Sequence, residues 1–148
     1  MNILLRKSQH SDVPFMREML YEAVFWRPNP NKPSLEEGLS APEVSHALVD
    51  WGERDGDSAV IALVDSTLAG AAWYRFYTDD NFTRGYIEET IPVLAIAVHK
   101  DYRRLGIGER MINWLIDHAS KHNIQRTSLM VSKDNHAIGL YRKCGFLE

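Results

Sequence analysis

The residues of this chain best suited to chemistry are Arg103-Arg104-Leu105-Gly106-Ile107-Gly108, followed by Glu109. Glycines at a helix start let a ligand reach the main chain, because no Cβ stands in the way. The first amides of a helix have no internal acceptor and lie at the positive end of its dipole. Together these features bind phosphate or pyrophosphate, and Arg103 and Arg104 add positive charge beside them. The segment lacks the Gly-x-x-x-x-Gly-Lys-Ser/Thr pattern and the three-glycine dinucleotide fingerprint. Taken alone, the two glycines also suit an ordinary softened helix start.

Such a site needs a strand that delivers the chain and a helix that carries it away. Val93 to Val98 is a short unbroken apolar run, which predicts a strand buried on both faces. Met111, Ile112, Leu115, Ile116 and Ala119 mark a strongly amphipathic helix after it. Thr127 to Val131 reads as a further strand, so residues 93–131 form a right-handed parallel crossover. Ala137 to Lys143 reads as a final helix, with Gly145 as its stop. Upstream, Ile3 to Arg6 is a short strand. Ser11 or Asp12 stands where a helix N-cap belongs, with Pro14 in the first turn and Phe15, Met16, Met19, Leu20 and Ala23 at helical spacing. Residues 27–42 carry four prolines (28, 30, 33, 42) and predict a long surface loop, of the kind that serves as a lid or binding loop. Pro42 to Trp51 predicts a second helix, followed by Gly52. Ala59 to Val64 and Ala69 to Tyr77 predict strands of a hairpin turned at Asp65-Ser66-Thr67.

Two patterns in this order carry a family resemblance. Arg103, Gly106 and Gly108 fit Arg/Gln-x-x-Gly-x-Gly/Ala, and Asn135, Ala137, Leu140-Tyr141 and Gly145-Phe146 fit a second motif one strand further on. The chain resembles the GNAT superfamily of N-acetyltransferases, specifically over 93–146 and compatibly over 1–92. The resemblance implies an α/β (α+β) fold: a central mixed, mostly antiparallel sheet flanked by helices, in a single acetyltransferase domain over 1–148. It implies acetyl-coenzyme A as cosubstrate, with no metal. The strand before the glycines would splay from its neighbour, and Ile96, Ala97 and Val98 would hold the pantetheine arm through main-chain groups. The Ile96 amide would bind the acetyl carbonyl oxygen as it becomes an oxyanion. The backbone from Arg103 through Arg104, Leu105, Gly106, Ile107 and Gly108 to Glu109 would hold the pyrophosphate. Tyr141 would protonate the leaving thiolate as general acid; the other reading of Tyr141 is packing, on a helix face shared with Ala137, Leu140 and Cys144. Asn135 would touch the cofactor or cap the last helix. An attacking alkylamine, with a pKa of ~10.4, needs a base. Glu89 is favoured over Glu88 for that role, against the reading that both are solvated loop charges, and His99 lies nearer the phosphate end. Trp26, Trp73, Phe82 and Tyr86 are candidates for the acceptor pocket. Cys144 has no evident activating base and is a poor nucleophile.

Composition narrows the setting. Hydrophobic residues make up 45% and charged residues 25% of 148 residues, with one cysteine and a net charge of −3. One cysteine excludes an internal disulfide framework or a cysteine zinc site, and a reducing cytoplasm suits it. No apolar run is long enough to span a membrane, no export signal is evident, and no basic run suggests nucleic acid. The expected acceptor is a small-molecule amine or a peptide N-terminus.

The pattern departs from the family at its end. Members continue after Gly-Phe with two antiparallel strands, whereas these residues stop at Glu148, so C-terminal strands are short or missing. The strand at 127–131 would then have an exposed edge, which predicts a homodimer that pairs or caps it. A non-catalytic acyl-coenzyme A sensor or assembly module, or a binder of another phosphorylated ligand, are the competing functions.

Overall fold

Alternating side chains on paired strands supply both faces of a sheet, and two central strands do so here. The structure, a computed structural model, describes residues 1–148. Strands β1 (Ile3–Lys7), β2 (Ser58–Val64), β3 (Thr67–Arg75) and β4 (Val93–Val98) form one sheet in that order, and every neighbouring pair is antiparallel. The helices are α1 (Val13–Val24), α2 (Leu35–Gly38), α3 (Pro42–Ser45), α4 (Ile107–Lys121) and α5 (Ile138–Lys143). Ala59, Ile61, Ala71 and Trp73 face Met16, Met19 and Leu20 of α1, with Leu39 and Trp51. Their neighbours Val60, Ala62, Ala72 and Tyr74 face Ile107, Met111, Leu115 and Ala119 of α4. The sheet therefore has an apolar core on each side, the arrangement that one amphipathic helix per face requires. No helix is long and apolar enough to cross a membrane.

The predicted elements stand with local corrections. The β2–β3 turn is Asp65-Ser66, with φ of 48° and 71°, the two positive values of a primed hairpin turn; Thr67 already pairs with Val64. Residues 27–42 are not wholly irregular, because α2 forms there, capped by Ser34 Oγ accepting from the Glu37 amide at 3.2 Å. The helix expected over 42–51 is α-helical only to Ser45. Beyond it Arg75 donates to the carbonyls of His46 (3.0 Å) and Val49 (2.6 Å), and the chain continues through turns to Trp51. Asp12 precedes α1 but makes no cap bond. Its carboxylate instead accepts from Arg6 (2.7 and 2.9 Å) and from the Gln9 amide (2.7 Å).

Two corrections bear on the site. The expected strand at 127–131 is a single parallel bridge between Val93 and Ser128. Leu94 donates to the Ser128 carbonyl at 2.7 Å, and Ser128 donates to that of Pro92 at 3.0 Å. Correspondingly, β4 is not buried throughout: Val93 and Leu94 are buried, and Ala95 to Val98 are half-buried, because past Leu94 no strand pairs with its outer edge.

Candidate active site

The open edge of β4 has a definite polarity. Leu94 points its amide outward to Ser128, whereas His99 donates inward to Ala69 at 2.7 Å. Main-chain groups alternate sides along a strand, so Ile96 and Val98 present theirs to the outer edge. Ala97 turns its main chain toward Ala71 of β3, so only two of the three residues expected to offer main-chain groups do so. Arg103 folds back to donate through Nε to the Val98 carbonyl at 3.2 Å.

From this edge the chain enters a short 3-10 turn, Lys100–Tyr102, capped by His99 Nδ1 accepting from the Asp101 amide at 3.2 Å. Arg104 and Gly106 then take left-handed φ values of 65° and 78°. No main-chain amide from Arg103 to Glu109 has a protein acceptor; the first that does is Arg110, to the Gly106 carbonyl at 3.2 Å. Free amides beside left-handed residues form an anion-binding concavity, and the α4 dipole adds to it. Arg103, Arg104 and Leu105 are exposed there. Ile107 is 1% exposed and roots the helix in the core, which leaves only its amide for a ligand.

The two glycines differ in their reasons. A Cβ at Gly106 would meet nothing within 4 Å, so its φ of 78° is what favours glycine. A Cβ at Gly108 would stand 3.0 Å from Leu140 Cδ2, with Ile96 and Val98 side chains behind it. Gly108 thus admits α5, which Lys143 also ties to Glu109 at 3.0 Å. The end of α5 is closed by Gly145 (φ 97°), with Gly145 donating to Arg142 (3.0 Å) and Phe146 to Tyr141 (3.1 Å), the two bonds of a Schellman stop.

Tyr141 lies on this helix, its ring edge-on to Phe146 at 6.2 Å. Its hydroxyl makes no hydrogen bond, and burial, with Cys144 nearby, pushes its pKa up to about 12. Asn135 accepts from the Ala137 amide through Oδ1 at 2.9 Å and from Ile138 through its carbonyl at 3.1 Å; it opens α5. Burial also raises the Cys144 thiol, which keeps it protonated.

Phe82, Tyr86, Glu88 and Glu89 precede β4; Trp26, Trp73 and His99 lie elsewhere. Glu88 and Glu89 are exposed and line a cleft with Phe76, Ile124 and Arg126. Tyr86 donates to Asp79 at 2.7 Å, and that bond, with Glu89 and Glu88 close by, raises its phenol to about 12. Phe82 stacks on Tyr86 at 5.5 Å. Trp73 belongs to the core: it is 1% exposed and meets Trp51 edge-on at 6.3 Å. Trp26 lies under the Arg27 guanidinium, 4.5 Å from the ring centroid. His99 faces Asp101 at 3.6 Å, at the end of β4 nearest the free amides.

Among the ion pairs that sequence reading missed, two join segments remote from each other. Arg75 and Asp57 pair at 2.8 Å with side chains 0% and 2% exposed. Arg27 and Asp134 pair at 2.8 Å. Neither has a local signal, because the partners are 18 and 107 residues apart.

The model of a family described as the acetyltransferase (GNAT) family matches residues 18–146. No curated protein matches the chain. Among solved structures, a ribosomal-protein-alanine N-acetyltransferase from Brucella melitensis is similar at 23% identity and a TM-score of 0.69, over 97% of this chain and 84% of that one. A predicted acetyltransferase with acetyl-CoA from Clostridium acetobutylicum is similar at 19% identity and a TM-score of 0.67, over 99% and 91%. AAC(6')-Iy, in complex with a CoA-S-monomethyl-acetylneamine bisubstrate analogue, is similar at 17% identity and a TM-score of 0.66, over 100% and 92%. At these identities the likenesses show the fold.

Proposed function

We propose, given that the chain belongs to the acetyltransferase (GNAT) family, that it moves an acetyl group from acetyl-coenzyme A to a primary amine by direct attack in a ternary complex. The observation that carries this reading is the run of acceptor-free amides from Arg103 to Glu109, set beside the unpaired edge of β4. The amides hold the pyrophosphate, and Ile96 and Val98 hold the pantetheine arm. Arg103 and Arg104 supply nearby charge, and the Asn135 turn fixes α5.

The amine nitrogen attacks the thioester carbon, and the carbonyl oxygen takes the negative charge beside the Ile96 amide. The C–S bond then breaks and the electron pair stays on sulfur. The nitrogen loses its proton to Glu89, directly or through water, and sulfur gains one by way of Tyr141. A phenol at about 12 stays protonated at neutral pH and is ready to donate. Full transfer from so weak an acid to a thiolate is uphill. Tyr141 therefore acts first as a hydrogen-bond donor to the developing thiolate, and completes the transfer only as its own proton is replaced.

A second reading is a non-catalytic acyl-coenzyme A sensor, which needs the same free amides but no proton transfer at Tyr141. Calorimetric titration with acetyl-coenzyme A, followed by thiol release over a panel of amines, separates the two. The transferase reading expects binding, thiol release with some amine, a lower kcat in Tyr141→Phe and a steeper loss at low pH in Glu89→Gln. Tight binding without thiol release on any amine points to the sensor. The relatives named above support an acceptor that is a small amine or a peptide N-terminus. The main chain of Leu129 to Val131 makes no hydrogen bond, and Met130 there is 66% exposed, which supports a homodimer across that edge. A monomer by light scattering would remove it. The lone cysteine supports a cytoplasmic setting.

A further inference from the structure

Two distant regions meet at an ion pair that the reaction leaves unused. Arg27 Nη2 lies 2.8 Å from Asp134 Oδ1 and 3.1 Å from Oδ2, and Nε lies 3.3 Å from Oδ2. Residues 25–34 on one side contain no regular element. On the other side, Asp134 belongs to the turn that Asn135 closes on Ser132 at 3.0 Å before α5 begins. A six-residue helix such as α5 cannot stand alone in water. It buries no residue completely, so its order comes from ties to neighbours. Its far end is tied to α4 by Lys143 and by Leu140 against Gly108. At its near end, Arg27–Asp134 is the one ion pair or hydrogen bond joining residues 132–137 to any element other than α5.

We propose that Arg27–Asp134 is a clasp coupling the 25–34 loop to the helix that carries Tyr141, so that the loop opens and Tyr141 loses its fixed position together. Arg27 and Asp134 are positioning residues and touch no reactant. Their side chains are 56% and 65% exposed, so the clasp is weak, screened by salt and able to open. The prolines of the loop limit the conformations it gains on release, which favours reclosure. The meaning given to Tyr141 rests on the acetyltransferase reading; the coupling is a property of the fold alone.

Hydrogen exchange by mass spectrometry on the full chain tests the coupling. The proteins are the native chain, Arg27→Gln, Asp134→Asn, and the exchanged pair Arg27→Asp with Asp134→Arg. Each single variant is expected to raise exchange several-fold in both 25–34 and 135–146, with β2 and β3 unchanged, and the exchanged pair to restore both. Raising sodium chloride from about 0.05 M to about 1 M should reproduce the effect in the native chain and do little in the single variants. A rise confined to 25–34, no rise in either segment, or no restoration by the exchanged pair overturns the proposal. Titration of the native chain with acetyl-coenzyme A, run alongside, reports on the site at Arg103–Glu109. Absence of binding there would sink the transferase reading while leaving the exchange result to be judged separately. With an active amine in hand, Arg27→Gln at low salt should lower kcat while KM for acetyl-coenzyme A holds.

Discussion

Gly106 and Gly108 look alike in the sequence but serve different needs, and substitution should separate them. Gly106→Ala places a side chain at φ 78°, at a cost of about 1 kcal/mol, and meets no protein atom within 4 Å. Stability should drop modestly, and any loss of acetyl-coenzyme A affinity beyond that reports the new Cβ against the ligand. Gly108→Val drives a branched side chain at Leu140, 3.0 Å from the first added carbon. It should displace α5 and lower kcat more than it lowers affinity, as paired calorimetry and kinetics will show. A second residue-scale prediction concerns His118. Its Nδ1 lies 2.7 Å from the Tyr74 hydroxyl, and its ring stacks between Trp114 at 5.4 Å and His122 at 4.2 Å. Burial first, then His122, Lys7 and Lys121, lower its pKa against the opposing pull of Asp117. A lowered value means that the unfolded chain takes up the proton at higher pH than the folded one, so stability rises with pH across that window. The neutral ring's contribution is fully present above ~6.5 and fades as pH falls through the folded value. Thermal melts from pH 7.5 to 5 should show this loss, and His118→Asn should flatten it.

At the scale of elements, the segment after α3 is held by one buried cation. Arg75 donates to Asp57 through Nε and Nη2 (2.9 and 2.8 Å) and to the two carbonyls of the turns before Trp51, whose ring lies 5.1 Å below the guanidinium. Asp57 also accepts from the Gly52 amide at 2.9 Å. Removing one partner of a pair this buried leaves an uncompensated charge, so Arg75→Met should cost about 3–5 kcal/mol in urea unfolding. Replacing both partners with apolar residues should recover part of the loss. The same network explains why an apolar stretch with helical character from Pro42 to Trp51 becomes one helical turn and a string of tight turns. Asp50 and Gly52 turn the chain with φ of 54° and 92°, and Arg75 fastens these turns through the His46 and Val49 carbonyls.

For the whole molecule, ligand binding and stability are one measurement. If acetyl-coenzyme A binds only the folded chain, a concentration 100 times its Kd adds about 2.7 kcal/mol, which for a domain of this size raises Tm by roughly 5–10 °C. Unchanged melting at saturating ligand would remove the anion site. The same titration with coenzyme A and with pantetheine divides the contribution of the α4 start from that of the β4 edge.

The sequence by itself determined the elements whose patterns are local and repeated: the amphipathic α4, a hairpin between β2 and β3, the stop at Gly145, and the glycine-led helix start with its free amides. Each follows from side-chain periodicity or from backbone preferences within a few residues. Tertiary structure decided what depends on residues remote in the chain. It reduced the expected strand at 127–131 to one bridge, because only Pro92 to Leu94 meets it. It left the later residues of β4 half-buried for the same reason. It gave Gly108 its partner in Leu140, drew Asp12 from its cap to Arg6, and joined Arg75 to Asp57 and Arg27 to Asp134. Burial, edge pairing and buried charge are properties of what surrounds a residue, and surroundings are settled only when the chain has folded.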